Sequence, residues 1–257
     1  MVINIKIMGE RNSGTNLLRA ALLDNFDAYA FHDVNMVTKW QKFVLSRRGM
    51  PPALLPIMRE YFAELRHRHN LPNAGGWKHA MITPRFVEEF VEPQACQVFC
   101  AIRHPVAWAR SMHQNPFHSR GRVPKDFDAF LTTPWKLRQR DELGKAPLAS
   151  PLLLWQKKVQ NYVDYAARHP NIHILKYEDL LLDPLKSFEW LAGILGPGKL
   201  SPALPAGLMR NFVKKELSMA EYREKAKTTR FANLTETQKT IFDTCLDDGL
   251  IQKLGYL

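Results

Sequence analysis

Cysteine is scarce in this chain. Cys96, Cys100 and Cys245 are too few, and odd in number, for a disulfide framework. Cys96 and Cys100 lie four apart in an apolar run, yet nothing at a suitable spacing completes a metal site. Both are expected to be buried free thiols in a reducing compartment, and no metal is expected. Long apolar runs are missing too: no window holds 18 successive apolar residues, which excludes a membrane-spanning helix. The opening MVINIKIMGER lacks the basic start and long apolar stretch of a signal peptide, so a cytoplasmic location is expected. Internal repeats, low-complexity runs and obvious linkers are absent, and 257 residues read most economically as one domain over 1–257.

Acidic residues are outnumbered, 25 against 36 Lys and Arg, leaving a net charge of +11. Such an excess favours anionic partners: nucleic acid, an anionic lipid surface, a sulfated glycan, or a nucleotide with several phosphates. The basic residues are spread along the chain rather than gathered in one stripe or reading module. Nucleic acid is therefore not the expected partner.

Residues 2–8 alternate loosely as a buried first strand, 9–16 are polar with two glycines, and 17–26 have helical spacing. Strand, glycine-bearing loop and helix open a doubly wound α/β domain. Residues 54–69 read as a helix whose basic end carries a solvated His67 and His69, followed by a loop over 70–76. Residues 84–91 read as a short helix. QVFCAI at 97–102 is the clearest internal strand; it runs into Arg103-His104-Pro105 and a helix over 106–113. A helix over 152–168, a strand over 172–176 and a helix over 184–195 follow. The predicted fold is α/β, a central, mainly parallel sheet flanked by helices, of the P-loop nucleotide-binding type. Substrate-side insertions are expected near 33–75 and 112–150, the second crossing the surface as a lid. Trp40, Phe43, Phe117, Phe127, Phe130 and Trp135 fit either an acceptor site or the core.

The loop is Gly9-Glu10-Arg11-Asn12-Ser13-Gly14-Thr15-Asn16, with the glycine spacing of a nucleotide P-loop. Glycines let successive N–H groups turn onto an anion, and the helix adds its positive end. A nucleoside triphosphatase would continue with Lys and Ser or Thr; here those places hold Thr15 and Asn16. No strand ends in a convincing magnesium-binding Asp, although Asp179 is a weak candidate. A small phosphate-like group fits this loop better than magnesium–ATP.

These residues resemble the PAPS-dependent sulfotransferases, which use 3′-phosphoadenosine-5′-phosphosulfate (PAPS) and release adenosine 3′,5′-bisphosphate. The segment from Arg11 to Asn16 is similar to the family's 5′-phosphosulfate loop with its Ser-Gly-Thr core. Arg103 after the QVFCAI strand, with Ser111 eight residues on, resembles the pair that binds the 3′-phosphate. The segment from Lys176 to Pro184 resembles the Tyr-Glu-Asp-Leu stretch that would put Tyr177 near the adenine. The resemblance implies sulfuryl transfer to a hydroxyl or amine of a glycan, lipid or small molecule that the sequence does not identify. It also implies Arg11 in place of the family's lysine, and Lys227, with Arg223 and Lys225, in place of its Arg-Lys-Gly segment.

Sulfuryl transfer needs a base for the acceptor and fixed donors for the departing phosphate. His79, beside Lys78, is the expected base, at a distance before Arg103 similar to that of the family's Lys and His. Glu10 is an alternative, while His104, His113 and His118 are poorer ones. Two other readings remain: a P-loop kinase of a small molecule, and a non-catalytic polyanion binder on the same scaffold.

Overall fold

The computed structural model describes residues 2–31, 36–46, 51, 54–116, 123–199, 202–204 and 218–256. The four strands among them, β1 (Ile3–Met8), β2 (Ala28–Ala30), β3 (Gln97–Ile102) and β4 (Ile172–Lys176), form one sheet in the order β2-β1-β3-β4. Every pairing is parallel. On β3 the side chains alternate: Val98, Cys100 and Ile102 enter one core, Phe99 and Ala101 the other. Both faces are covered, as a parallel sheet requires. Burial pushes the Cys96 thiol up to about 12 and Cys100 higher still, so both are inert packing groups.

Helix α1 (Thr15–Asn25) turns Leu17, Leu18, Ala21 and Leu22 onto the second core. After β2 come α2 (Met36–Ser46) and α3 (Leu54–Ala74), then a continuous helical run: α4 (Pro84–Phe86), a π turn (Val87–Val91) and α5 (Glu92–Gln94). Beyond β3 lie α6 (Pro105–Gln114), α7 (Phe127–Leu131), a 3₁₀ turn (Gln139–Asp141) and α8 (Pro151–Ala166). β4 leads to α9 (Tyr177–Leu182), α10 (Pro184–Leu195), α11 (Met219–Thr228), α12 (Glu236–Cys245) and α13 (Asp248–Lys253). Asp183 caps α10 through the Lys186 N–H, with Pro184 in the first turn.

Two sequence expectations fail here. The loop over 70–76 is mostly helix, because buried Leu71 and Ala74 keep the last turns of α3 on the protein. Exposed Pro72 forfeits only one backbone hydrogen bond so near the helix end. The helix closes where the Gly75 and Gly76 N–H groups meet the carbonyls of Leu71 and Asn70. The described part of 112–150 is wall rather than lid: Phe130, Leu131, Trp135 and Leu137 belong to the core, and Arg140 and Asp141 are buried with them.

The strand order fixes where a ligand can sit. From β1 the chain steps to β2 on one side and later to β3 on the other, so a crevice opens beyond the carboxyl ends of β1 and β3. Gly9 leaves β1 there and Arg103 leaves β3. A Cβ on Gly9 would stand 2.5 Å from the Ala101 carbonyl oxygen, so only glycine lets the two strand ends approach this closely. Among the described residues no helix is long and apolar enough to cross a membrane.

Candidate functional site

The first wall of the crevice is the loop from Gly9 to Asn16. Gly14 is the N-cap of α1 with φ of 86°, and no side chain caps the helix or puts an acid in its first turn. The N–H groups at this end are left for an anion. Ser13 and Thr15 are buried in the loop, while Asn16 is exposed. A Cβ on Gly14 would lie 2.3 Å from Cδ2 of Tyr177, so the tyrosine ring rests against the loop at this glycine. Two indoles pin the crevice from below. Trp108 Nε1 donates to the Arg11 carbonyl at 2.8 Å, and Trp155 Nε1 to the Arg103 carbonyl at 2.9 Å.

Lys78 and His79 run alongside the loop. The Gly9 N–H donates to the Lys78 carbonyl, and the Lys78 ammonium to Asn16 Oδ1 at 2.6 Å. His79 Nδ1 lies 2.6 Å from the Gly9 carbonyl. A carbonyl only accepts, so Nδ1 carries the proton and Nε2 keeps its lone pair. Burial, then the charges of Lys78, Arg11 and Lys158, hold the His79 pKa well below the ordinary histidine value. The imidazole is neutral at pH 7.

Arg11, by contrast, is buried and turned into a cluster behind the loop. Its Nη1 meets Glu10 at 2.9 Å and its Nη2 meets Asp141 at 3.2 Å. Lys158 closes the set, 2.6 Å from Glu10 and 2.7 Å from Asp141. Two cations face two carboxylates, and the Arg11 charge is matched internally. Burial alone would raise the Asp141 pKa; Lys158 and Arg11 overcome it and hold the carboxyl at about 2. Trp77 borders the cluster, with the Arg11 and Arg140 guanidinium groups 4.8 and 4.4 Å from its ring centre. Glu10 is thus enclosed and not presented to the crevice.

Arg103 forms the opposite wall. Its Nη1 donates to the Asn12 carbonyl at 3.1 Å, and its guanidinium lies 4.7 Å from the Tyr177 ring centre. Its Nε is buried without a hydrogen-bond partner, and so is Nη1 of Arg230. Both cations lie within electrostatic reach of Glu178 and His104. An unmatched buried donor costs about 1–3 kcal/mol, so each of these guanidinium groups keeps a donor to offer. Ser111 is half-buried on α6, about two turns beyond Arg103. Lys227 and Lys225 are exposed on the last turn of α11, and Arg223 donates to the Leu181 carbonyl. The cation drawn in is therefore Arg230; a basic residue in that segment was expected, but its distance from the helix face hid which one.

Behind Arg103, Glu178 accepts the His104 backbone N–H at 3.0 Å and the Tyr256 hydroxyl at 3.3 Å, tying the ends of β3 and β4 together. Burial, then Arg230, lowers the His104 pKa to about 3, so it is a neutral structural group. His67 is not solvated: it is buried, accepts the Trp77 N–H on Nδ1 and meets Glu142 with Nε2 at 2.8 Å. His113 lies 3.0 Å from the Pro124 carbonyl. Asp179 is exposed and pairs with Lys176, and among the described residues no His, Cys, Asp and Glu group is arranged for a metal ion.

No protein-family model matches this chain, and no curated protein matches its sequence. Solved structures do. The sulfotransferase domain of the Synechococcus PCC 7002 olefin synthase has a TM-score of 0.44 at 15% identity, over 95% of this chain and 94% of that one. The mouse sulfotransferase SULT7A1 complexed with PAP has a TM-score of 0.39 at 14% identity, over 97% of this chain and 78% of that one. The chain is structurally similar to sulfotransferases over nearly its full length. Of the aromatic residues that fitted either acceptor site or core, Phe130 and Trp135 are core and Phe127 packs against it, whereas Trp40 and Phe43 are exposed. Phe117 and His118 lie outside the described residues.

Proposed function

We propose that this protein transfers a sulfuryl group from PAPS to a hydroxyl or amine acceptor. The observation that carries the reading is the pair of anion cradles facing one crevice. One is the uncapped N-terminus of α1; the other is the buried, unmatched guanidinium N–H groups of Arg103 and Arg230. A nucleotide with phosphates at both ends suits this arrangement, and Tyr177 between the two cradles suits its base. PAPS, when bound, supplies a sulfuryl group on a phosphate leaving group.

In this reading the loop N–H groups with Asn12, Ser13, Gly14, Thr15 and Asn16 hold the 5′-phosphosulfate. Arg103, Ser111 and Arg230 hold the 3′-phosphate, with Lys227 at the rim. His79 Nε2 takes the acceptor proton as the new bond to sulfur forms and the sulfur–phosphate oxygen bond breaks. Lys78 and the helix end receive the charge left on the phosphate oxygen. Arg11 is a positioning residue, holding the loop from behind. Thr15, where a kinase would carry lysine, leaves no such cation for a triphosphate.

The test is calorimetric titration with adenosine 3′,5′-bisphosphate in the absence of magnesium. Micromolar binding is expected, weakened at least tenfold by Arg103→Ala and by Arg230→Ala, on the order of 1.4 kcal/mol or more each. Binding of magnesium–ATP with none of the bisphosphate would replace this reading by the kinase one.

A further inference from the structure

We propose that the helix pair α2 and α3 is a docking surface for an anionic lipid membrane, on which the protein lies peripherally. The two helices pack against each other, yet each leaves large apolar side chains in solvent. On α3, Leu54, Ile57, Tyr61 and Leu65 are three or four residues apart and share one face. They make a stripe about 17 Å long at the helical rise. On α2, Trp40 and Phe43 are three apart, with their rings edge to face at 5.9 Å. Ile57 keeps 63% of its surface in solvent, and Trp40 and Tyr61 keep 58% each, so the stripe is not core. Of eleven large apolar side chains exposed among the described residues, six are on these two helices, which makes a patch rather than a scatter.

Charge selects the occupant. From Val34 to Arg59 the sequence holds Lys39, Lys42, Arg47, Arg48 and Arg59, and no Asp or Glu. Lys39 and Lys42 are exposed beside Trp40 and Phe43, and Arg59 and Arg68 are exposed on α3. None of these four forms an ion pair among the described residues. The acids of α3, Glu60 and Glu64, border the stripe but are already matched. Arg140 binds them at 2.6 and 2.9 Å, and Arg138 binds Glu60 at 3.0 Å. A second copy of this chain would set like charges against each other, with no unmatched carboxylate from the described part of either helix pair. A bilayer with anionic headgroups suits both features. Its acyl boundary takes Leu54 and Ile57, its headgroup level suits Trp40 and Tyr61, and its phosphates receive the lysines and arginines. Neither helix is long and apolar enough to cross, so the contact is along the surface.

The experiment needs no nucleotide and stands apart from the sulfuryl-transfer reading. The intact protein is sedimented with vesicles of phosphatidylcholine alone, and of phosphatidylcholine with an equal part of phosphatidylserine. Binding to the mixed vesicles is expected to be about tenfold tighter or more. Ile57→Ser with Tyr61→Ser should weaken it by about tenfold, and Lys39→Gln with Lys42→Gln should remove most of the phosphatidylserine preference. All four residues are exposed, so urea unfolding should match that of the unaltered protein. Lys157→Gln with Lys253→Gln removes the same charge from exposed sites on α8 and α13 and should leave vesicle binding unchanged. The inference is overturned if the mixed vesicles carry no protein down, or if the Ile57 and Tyr61 changes leave binding intact. It is also overturned if the α8 and α13 changes weaken binding as much as those on α2, since net charge alone would then be at work. A dimer in sedimentation equilibrium that dissociates with Ile57→Ser and Tyr61→Ser would instead give the face to a second copy.

Discussion

A histidine whose Nδ1 proton is committed to a backbone carbonyl can act as a base only through Nε2, and its environment decides whether that lone pair is available. At His79 burial and three neighbouring cations all disfavour the charged ring. As pH falls through the ordinary histidine range the base form persists, so NMR should find His79 uncharged from pH 8 to pH 6, with the proton on Nδ1. Once an acceptor is known, His79→Ala should lower kcat by roughly 100-fold or more while leaving bisphosphate affinity unchanged. Gly14 offers a second test at this scale. Gly14→Ala forces a methyl into Tyr177 on backbone already in the left-handed region. It should destabilise by about 1–3 kcal/mol in urea and weaken bisphosphate binding. The places of the loop after β1, of Arg103 after β3, of Ser111 on α6 and of Tyr177 after β4 were legible because glycine spacing and strand ends are written locally. Arg11 was read as a ligand because its partners, Asp141 and Lys158, lie far along the chain, where no periodicity links them.

Strands β1, β3 and β4 stand out in the sequence because their alternate or continuous apolar residues feed two cores. Ala28–Ala30 does not, since three residues are too few to show a period. The stretch before α8 misled for a different reason. Its charges resemble those of a surface excursion, yet Arg140 pairs with Glu60 and Glu64 of α3, and Asp141 with Arg11 and Lys158. The 3₁₀ turn thereby joins α3, the loop and α8. Removing one member leaves an uncompensated buried charge, so Lys158→Met should cost about 3–5 kcal/mol. Lys158→Met combined with Asp141→Asn should cost less than the sum of the two single changes, measured by urea unfolding as a double-mutant cycle. Strict additivity would mean the cluster is not a unit.

For the whole molecule, the buried groups set a direction of pH dependence. His104 has a folded pKa of about 3 against the ordinary histidine value of 6.5, and His79 is also lowered. Below the unfolded value the unfolded chain binds protons that the native state refuses, so stability falls as pH drops from about 6.5 toward 3. The Asp141 contribution is present above its unfolded pKa and is lost as pH falls through about 2. Each unit crossed costs about 1.4 kcal/mol per group, and His104 alone should make Tm lower by about 10 °C at pH 4 than at pH 7 in a melting series, with His79 adding to the drop. A Tm unchanged over that range would mean these imidazoles are not held neutral. The internal balance of Glu10, Arg11, Asp141 and Lys158 also bears on descent. A lineage that lost one of the four would pass through a form with an odd charge sealed inside, so neutral drift at these positions must proceed by paired steps. The surface lysines of α11 are free of that constraint and can wander singly.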